Sequence, residues 1–133
     1  MRVAFDTNLW ISFAIGKRLG ALTDLLKQPD LRVFRCPQLE AELLDVVQRK
    51  KMARFIDPER RELMLELLLN ATRNVPLVPP FARRSRDPKD DYLLALAEQA
   101  PLDYLVTGDK DLLVLGTHLQ TEILTFADFT SRL

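Results

Sequence analysis

Acidic side chains mark four places in this 133-residue chain where carboxylates could work together: Asp6, Glu42, the cluster Asp87-Pro88-Lys89-Asp90-Asp91, and Asp109. Asp6 follows the apolar run Val3-Ala4-Phe5, and Asp109 follows Leu105-Val106-Thr107-Gly108, so both fall at the carboxyl ends of predicted strands. Glu42 and the 87–91 cluster lie near predicted helix N-termini, where the backbone dipole favours negative charge. Four carboxylates converging on one point repel one another unless a divalent cation compensates them, and oxygen-only ligands select hard cations such as Mg²⁺ or Mn²⁺. Metal-assisted phosphodiester hydrolysis suits such a site, because the ion activates water and stabilises both the attacking and the leaving oxygen.

Each acid also has a plainer reading. An Asp at a strand-to-helix junction is commonly a helix N-cap, which covers Asp6. Gly108-Asp109 makes an ordinary turn, Glu42 suits a solvated helix face, and the 87–91 cluster suits an acidic helix start. The chemical reading gains because all four occur in one chain, at the ends where a site would form.

The elements that must position these acids can be read from patterning. Arg2–Phe5 predicts a strand opening into Asp6-Thr7-Asn8, all N-cap residue types, and then a helix carrying Leu9, Trp10, Phe13 and Ala14. A second helix is predicted over about Leu19 to Lys27, and Leu31–Arg35 alternates as a strand does. Pro37 sits where a first helical turn tolerates proline, ahead of an apolar stripe of Leu39, Leu43, Val46 and Val47. Pro58 opens a further helix whose expected inner face is Leu63, Leu67 and Leu68. Val75–Val78 predicts a short strand, and Pro79–Pro88 a loop. The next helix starts near Lys89–Asp91 and reaches about Gln99. Strands at Tyr104–Thr107 and Glu122–Leu124 and a closing helix over Phe126–Leu133 complete the chain. Strands alternating with helices predict a single-domain α/β fold over residues 1–133, with a parallel sheet covered on both faces. In such sheets, ligands bind beyond the carboxyl ends of the strands, where the chain reverses direction of progress.

Composition sets bounds on this reading. The chain has 19 basic and 19 acidic residues and a formal net charge of zero, with 47% hydrophobic residues. Residues 1–86 carry 16 basic and 10 acidic side chains, whereas residues 87–133 carry 3 and 9. A divalent ion held by the acids would add charge that this formal count omits, so neutrality does not exclude a nucleic-acid partner. No apolar run is long enough to span a bilayer. No basic-then-apolar leader follows Met1, and one cysteine, Cys36, fits a reducing compartment, so a cytoplasmic location is expected. Four glycines rule out dinucleotide and P-loop fingerprints.

The basic residues cluster in two places. Arg49, Lys50, Lys51 and Arg54 gather at a helix end, and Arg83, Arg84 and Arg86 gather in the loop before the third acidic segment. Both clusters suit phosphate contacts, although the first also complements a helix C-terminus. Phe55 and Phe81 are candidates for base stacking, and Trp10 and Phe13 for core packing. Cys36 reads as a small buried hydrophobe, and His118 as a surface loop residue.

Four segments together resemble the motifs of PIN-domain nucleases. Val3-Ala4-Phe5-Asp6-Thr7-Asn8 looks like the first, and Pro37-Gln38-Leu39-Glu40-Ala41-Glu42-Leu43 the second. Asp87-Pro88-Lys89-Asp90-Asp91-Tyr92-Leu93-Leu94-Ala95-Leu96-Ala97 looks like the third, and Val106-Thr107-Gly108-Asp109-Lys110-Asp111-Leu112 the fourth. Order and spacing agree over about residues 2–130, and the nearest likeness is to toxins of prokaryotic toxin–antitoxin pairs. The resemblance implies an α/β/α sandwich with parallel strand order 3-2-1-4-5. It also implies Mg²⁺- or Mn²⁺-dependent ribonuclease activity leaving a 5′-phosphate and a 3′-hydroxyl, an antitoxin partner, and a homodimer.

Carried over by position, Asp6, Glu42, Asp91 and Asp109 form the acidic quartet. Asp6 with Asp91 or Asp109 would bind metal directly, and Glu42 would reach it through water or orient the nucleophile. Within the third motif, Asp91 has the matching distance to Asp109, with Asp90 and Asp87 one and four residues upstream. Thr7, Asn8 and Thr107 match positions that hydrogen-bond the acids, and Asp111 is a further acid beside them. Two other functions compete. One is a catalytically idle PIN fold used for RNA binding or assembly. The other is an aspartyl phosphotransferase of the haloacid-dehalogenase kind, which would need an acid where this chain has Asn8.

Overall fold

The computed structural model describes residues 1–79 and 90–133. Strand β1 (Arg2–Phe5) leads into α1 (Thr7–Ile15) and α2 (Leu19–Leu26), then β2 (Arg32–Arg35) into α3 (Pro37–Val47). A 3₁₀ turn over Lys50–Arg54 precedes α4 (Pro58–Ala71) and β3 (Arg73–Asn74). After the undescribed segment come α5 (Asp91–Gln99), β4 (Tyr104–Val106), α6 (Lys110–Leu113), β5 (Thr117–His118), β6 (Thr121–Leu124) and α7 (Phe126–Thr130).

Among the described residues the sheet has six strands in the order β3-β2-β1-β4-β6-β5. β1 pairs in parallel with β2 on one side and β4 on the other, and β4 pairs in parallel with β6. The chain therefore reverses its progress across the sheet at β1 and β4, the switch point of an open α/β sheet. Val3, Ala4 and Phe5 are all buried although successive side chains point to opposite faces, so both faces of the central strand are covered. Trp10 and Phe129 pack edge-on against Phe5, with ring centroids 6.1 and 5.9 Å away. Trp10 and Phe13 are core residues.

Prolines set the helix starts as expected. Pro37 and Pro58 each occupy the first turn of a helix, where a missing N–H leaves no bond unmade. Asp57 completes the second start by accepting from the backbone N–H of Arg60 at 2.8 Å.

Several expectations are corrected. The strand expected over Val75–Val78 lies earlier, at Arg73–Asn74. Its ladder to β2 ends when the Val75 N–H donates to the Arg35 carbonyl, and Pro76 has no N–H to extend it. The sheet is not wholly parallel, because β5 and β6 form an antiparallel hairpin at its edge. Its turn uses Leu119 at φ 54°, and Gly116 at φ 68° precedes β5. His118 belongs to this hairpin rather than to a loop, and its Nε2 lies 2.7 Å from Glu98 Oε1. On α4, Met64 and Leu68 face the core, whereas Leu63 is exposed. Apolar residues stand at 63–65 and 67–69, so the sequence offers more than one inner face, and packing selects among them.

Candidate active site

The register of the sheet builds the centre of the site. Phe5 pairs with Val106, and the Asp6 N–H donates to the Val106 carbonyl at 2.9 Å, so Asp6 leaves β1 directly beside Thr107 leaving β4. The Thr107 hydroxyl donates to Asp6 Oδ2 at 2.6 Å. That hydroxyl also accepts from the Asp109 N–H at 3.0 Å, and Asp109 Oδ1 accepts from the Asp111 N–H at 2.8 Å. One threonine thus links the two acids that follow the two central strands.

The plainer readings of these acids part company here. Asp109 does cap a helix, because its side chain satisfies the first turn of α6. Asp6 stands at the N-cap position of α1, yet its side chain makes no capping bond to that helix. Its carboxylate is turned towards Thr107 and is buried. Burial raises its pKa above the ordinary carboxylate range, and the negative charges of Glu42 and Asp109 raise it further against the bond from Thr107. Glu42 and Asp109 are therefore both close enough to act on Asp6 electrostatically.

Glu42 arrives from the second turn of α3 and is held by Tyr92, whose phenol donates to Glu42 Oε2 at 2.5 Å. The same phenol oxygen lies 3.2 Å from the Thr7 hydroxyl. Burial, and then the bond to Glu42, hold the Tyr92 pKa well above the ordinary phenol range. Sequence reading gives Tyr92 no role beyond membership of the third motif segment; the signal that could have singled it out is its place directly after Asp91.

Other candidates are distributed as follows. Asp90 and Asp91 are buried at the start of α5. The Thr7 hydroxyl contacts Tyr92 rather than an acid, so any effect of that side chain on Glu42 passes through the phenol. Asn8 is exposed and, with Gln38, Glu42, Asp45, Arg49 and Tyr92, lines an open cleft of about 560 Å³ along α3. Arg49 forms an exposed ion pair with Asp45 at 2.9 Å, and Lys50 and Lys51 are exposed in the adjoining 3₁₀ turn. Arg54 and Phe55 are exposed as well. Arg83, Arg84, Arg86, Asp87 and Phe81 lie outside the described residues. Cys36 is fully buried, and burial pushes its thiol pKa up to about 11, which leaves it a packing residue.

Asp6 and the two carboxylates that act on it offer only oxygen donors, a set whose chemistry fits a hard divalent cation. Among the described residues, no group of three Asp, Glu, His or Cys side chains stands close enough together to hold a metal ion, so the fit rests on donor chemistry alone.

The profile of the PIN domain family matches residues 2–111. Among solved structures, a chain in the crystal structure of VapBC2 from Rickettsia felis bound to a DNA fragment from their promoter is similar. The TM-score is 0.56 and the identity 18%, over 92% of this chain and 98% of that chain. That likeness is one of fold. No curated protein matches this sequence. The family match spans all four acidic segments together with the β1–β4 switch point between them, and on that ground this chain belongs to the PIN domain family.

Proposed function

We propose that this protein is a metal-dependent ribonuclease, and that it acts as the toxin of a toxin–antitoxin pair. The observation that supports the nuclease reading is the Asp6 carboxylate at the β1–β4 switch, buried, not used as a cap, and within electrostatic reach of Glu42 and Asp109. Asp6, Asp91 and Asp109 would hold Mg²⁺ or Mn²⁺. The ion, when bound, would activate water and stabilise the attacking and leaving oxygens of the scissile phosphate.

The chain's own residues supply orientation and grip. Thr107 fixes Asp6 and, through its oxygen, the backbone of Asp109. Glu42 opens onto the cleft, where it can orient the attacking water. Arg49 lines the cleft, and Lys50 and Lys51 follow it in the 3₁₀ turn; the three would take phosphates of the RNA strand, and Arg83, Arg84 and Arg86 are proposed for the same task. Asn8, Asp90 and Asp111 stand beside the acids as supporting groups.

Fold likeness to a chain of VapBC2 supports a partner protein, and a homodimer is proposed from the family resemblance. No helix among the described residues is long and apolar enough to cross a membrane; action on RNA in the cytoplasm is part of the proposal.

The test is cleavage of single-stranded RNA by the purified protein with Mg²⁺ or Mn²⁺. Wild type is expected to cleave, chelator to stop it, and Asp6→Asn to lower kcat by at least about 10³-fold, as loss of a group acting in the transition state does. Binding of RNA without cleavage by both proteins would instead identify an idle binding module. For the partner reading, co-expression with a small adjoining reading frame should relieve growth arrest, and sedimentation velocity reads the dimer.

A further inference from the structure

Tyr92 lies where the first three motif segments meet. Its phenol has one hydrogen, and that hydrogen is given to Glu42 Oε2 at 2.5 Å. The Thr7 hydroxyl, 3.2 Å away, must therefore be the donor to the phenol oxygen. A directed chain of two hydrogen bonds thus runs from the residue beside Asp6, through the first turn of α5, to the carboxylate of α3.

Without such a chain, Glu42 would be poorly defined. It stands half-buried at the edge of an open cleft on a side chain with several rotatable bonds. A carboxylate that has to orient a water or share an ion needs its oxygens held in one place. Tyr92 is suited to hold them, because its ring is buried and rigid and its hydroxyl reaches across from α5 to α3. The bond uses Oε2 and so fixes the direction of Oε1 as well.

We propose that Tyr92 is a positioning residue that holds Glu42 in its working orientation at the acidic site, a role that rests on the nuclease reading above. Tyr92 also borders the cleft, but the role proposed for it is exercised through Glu42 and not on substrate or ion. This separates it from an ordinary core aromatic, whose hydroxyl would be dispensable.

The test uses the full-length protein and the variants Tyr92→Phe, Glu42→Ala and the double variant, with Thr7→Val as a gentler cut in the same chain. Calorimetric titration with Mn²⁺ alone, without RNA, gives a readout independent of turnover. Tyr92→Phe is expected to weaken Mn²⁺ binding about 10-fold in the wild-type background, because Glu42 reaches the ion through a water that it must hold in place, the lower end for loss of a group that supports a metal site. In the Glu42→Ala background the same substitution should change binding by less than about twofold, because groups acting through one another are not additive. In RNA cleavage, kcat should fall by about 10–100-fold while KM stays within about twofold. Thr7→Val should give a smaller loss in the same direction, and serves if Tyr92→Phe does not fold.

Equal effects of Tyr92→Phe in both backgrounds would overturn the proposal in favour of a packing role, as would wild-type binding and turnover. Coupled Mn²⁺ binding without any RNA cleavage would sink the nuclease reading and leave the positioning role standing. Cleavage that Asp6→Asn abolishes and Tyr92→Phe leaves untouched would do the reverse. Wild-type protein that binds no Mn²⁺ would remove both.

Discussion

Asp6 carries the clearest electrostatic cost at the candidate site. Its carboxyl is buried and faces two other acids, so its pKa lies above that of the unfolded chain. Between those two values the native state holds more protons than the unfolded state, and stability therefore falls as pH rises through that window. Asp6→Asn removes the charge and keeps an oxygen for the Thr107 hydroxyl. The ion-free variant is expected to exceed wild type in stability at pH 7 by about 1 kcal/mol, the order of gain that one favourable charge change yields. The gap should narrow as pH falls from 7 to 4, towards the range in which the raised carboxyl of Asp6 takes up its proton. Urea melts in chelator at both pH values check this; a variant less stable at pH 7 would show that Asp6 is not under repulsion. That Asp6 ends a strand was legible, because an apolar run turns abruptly into an acid. That its side chain declines the capping bond was not, since an N-cap and a buried carboxylate look alike in sequence.

At the scale of elements, α5 carries the most. Leu93, Leu94, Ala95, Leu96 and Ala97 are all buried, so the helix is wrapped on most sides and its start at Asp90, Asp91 and Tyr92 is seated firmly. Leu96→Ala, at a fully buried position, should cost about 2–5 kcal/mol by loss of burial and an unfilled cavity. Thermal melts would register it, and a loss below about 1 kcal/mol would mean that α5 is not anchored as described. The strand-and-helix alternation that frames α5 was readable from periodicity, as were the starts at Pro37 and Pro58. The β5–β6 hairpin was not, because its turn places Leu119 at a positive φ where sequence reading looks for Asn or Gly. The single turn of α6 was equally hidden, since four residues are too few to show a helical period.

For the whole molecule, zero net charge conceals a basic portion in residues 1–86 and an acidic one after it. In the fold, Arg49 shares a cleft with Glu42, which brings a part of the basic portion next to the acids. Lys50→Ala with Lys51→Ala should weaken RNA binding to a similar degree across sequences. It should also flatten the dependence of log affinity on log salt by about 1.4, at roughly 0.7 per phosphate contact on a single strand. Binding measured from 50 to 300 mM salt tests this, and an unchanged slope would move the RNA path away from the 3₁₀ turn. The sequence by itself determined that the chain is α/β, that its acids fall at strand ends and helix starts, and that oxygen ligands make any bound ion a hard one. Those are local matters, settled by residue type and spacing. Only the tertiary structure decided that β1 lies beside β4, that Thr107 therefore reaches Asp6, and that Tyr92 crosses from α5 to Glu42. Contacts between residues 50 or 101 positions apart depend on sheet register and helix packing, which no local pattern encodes.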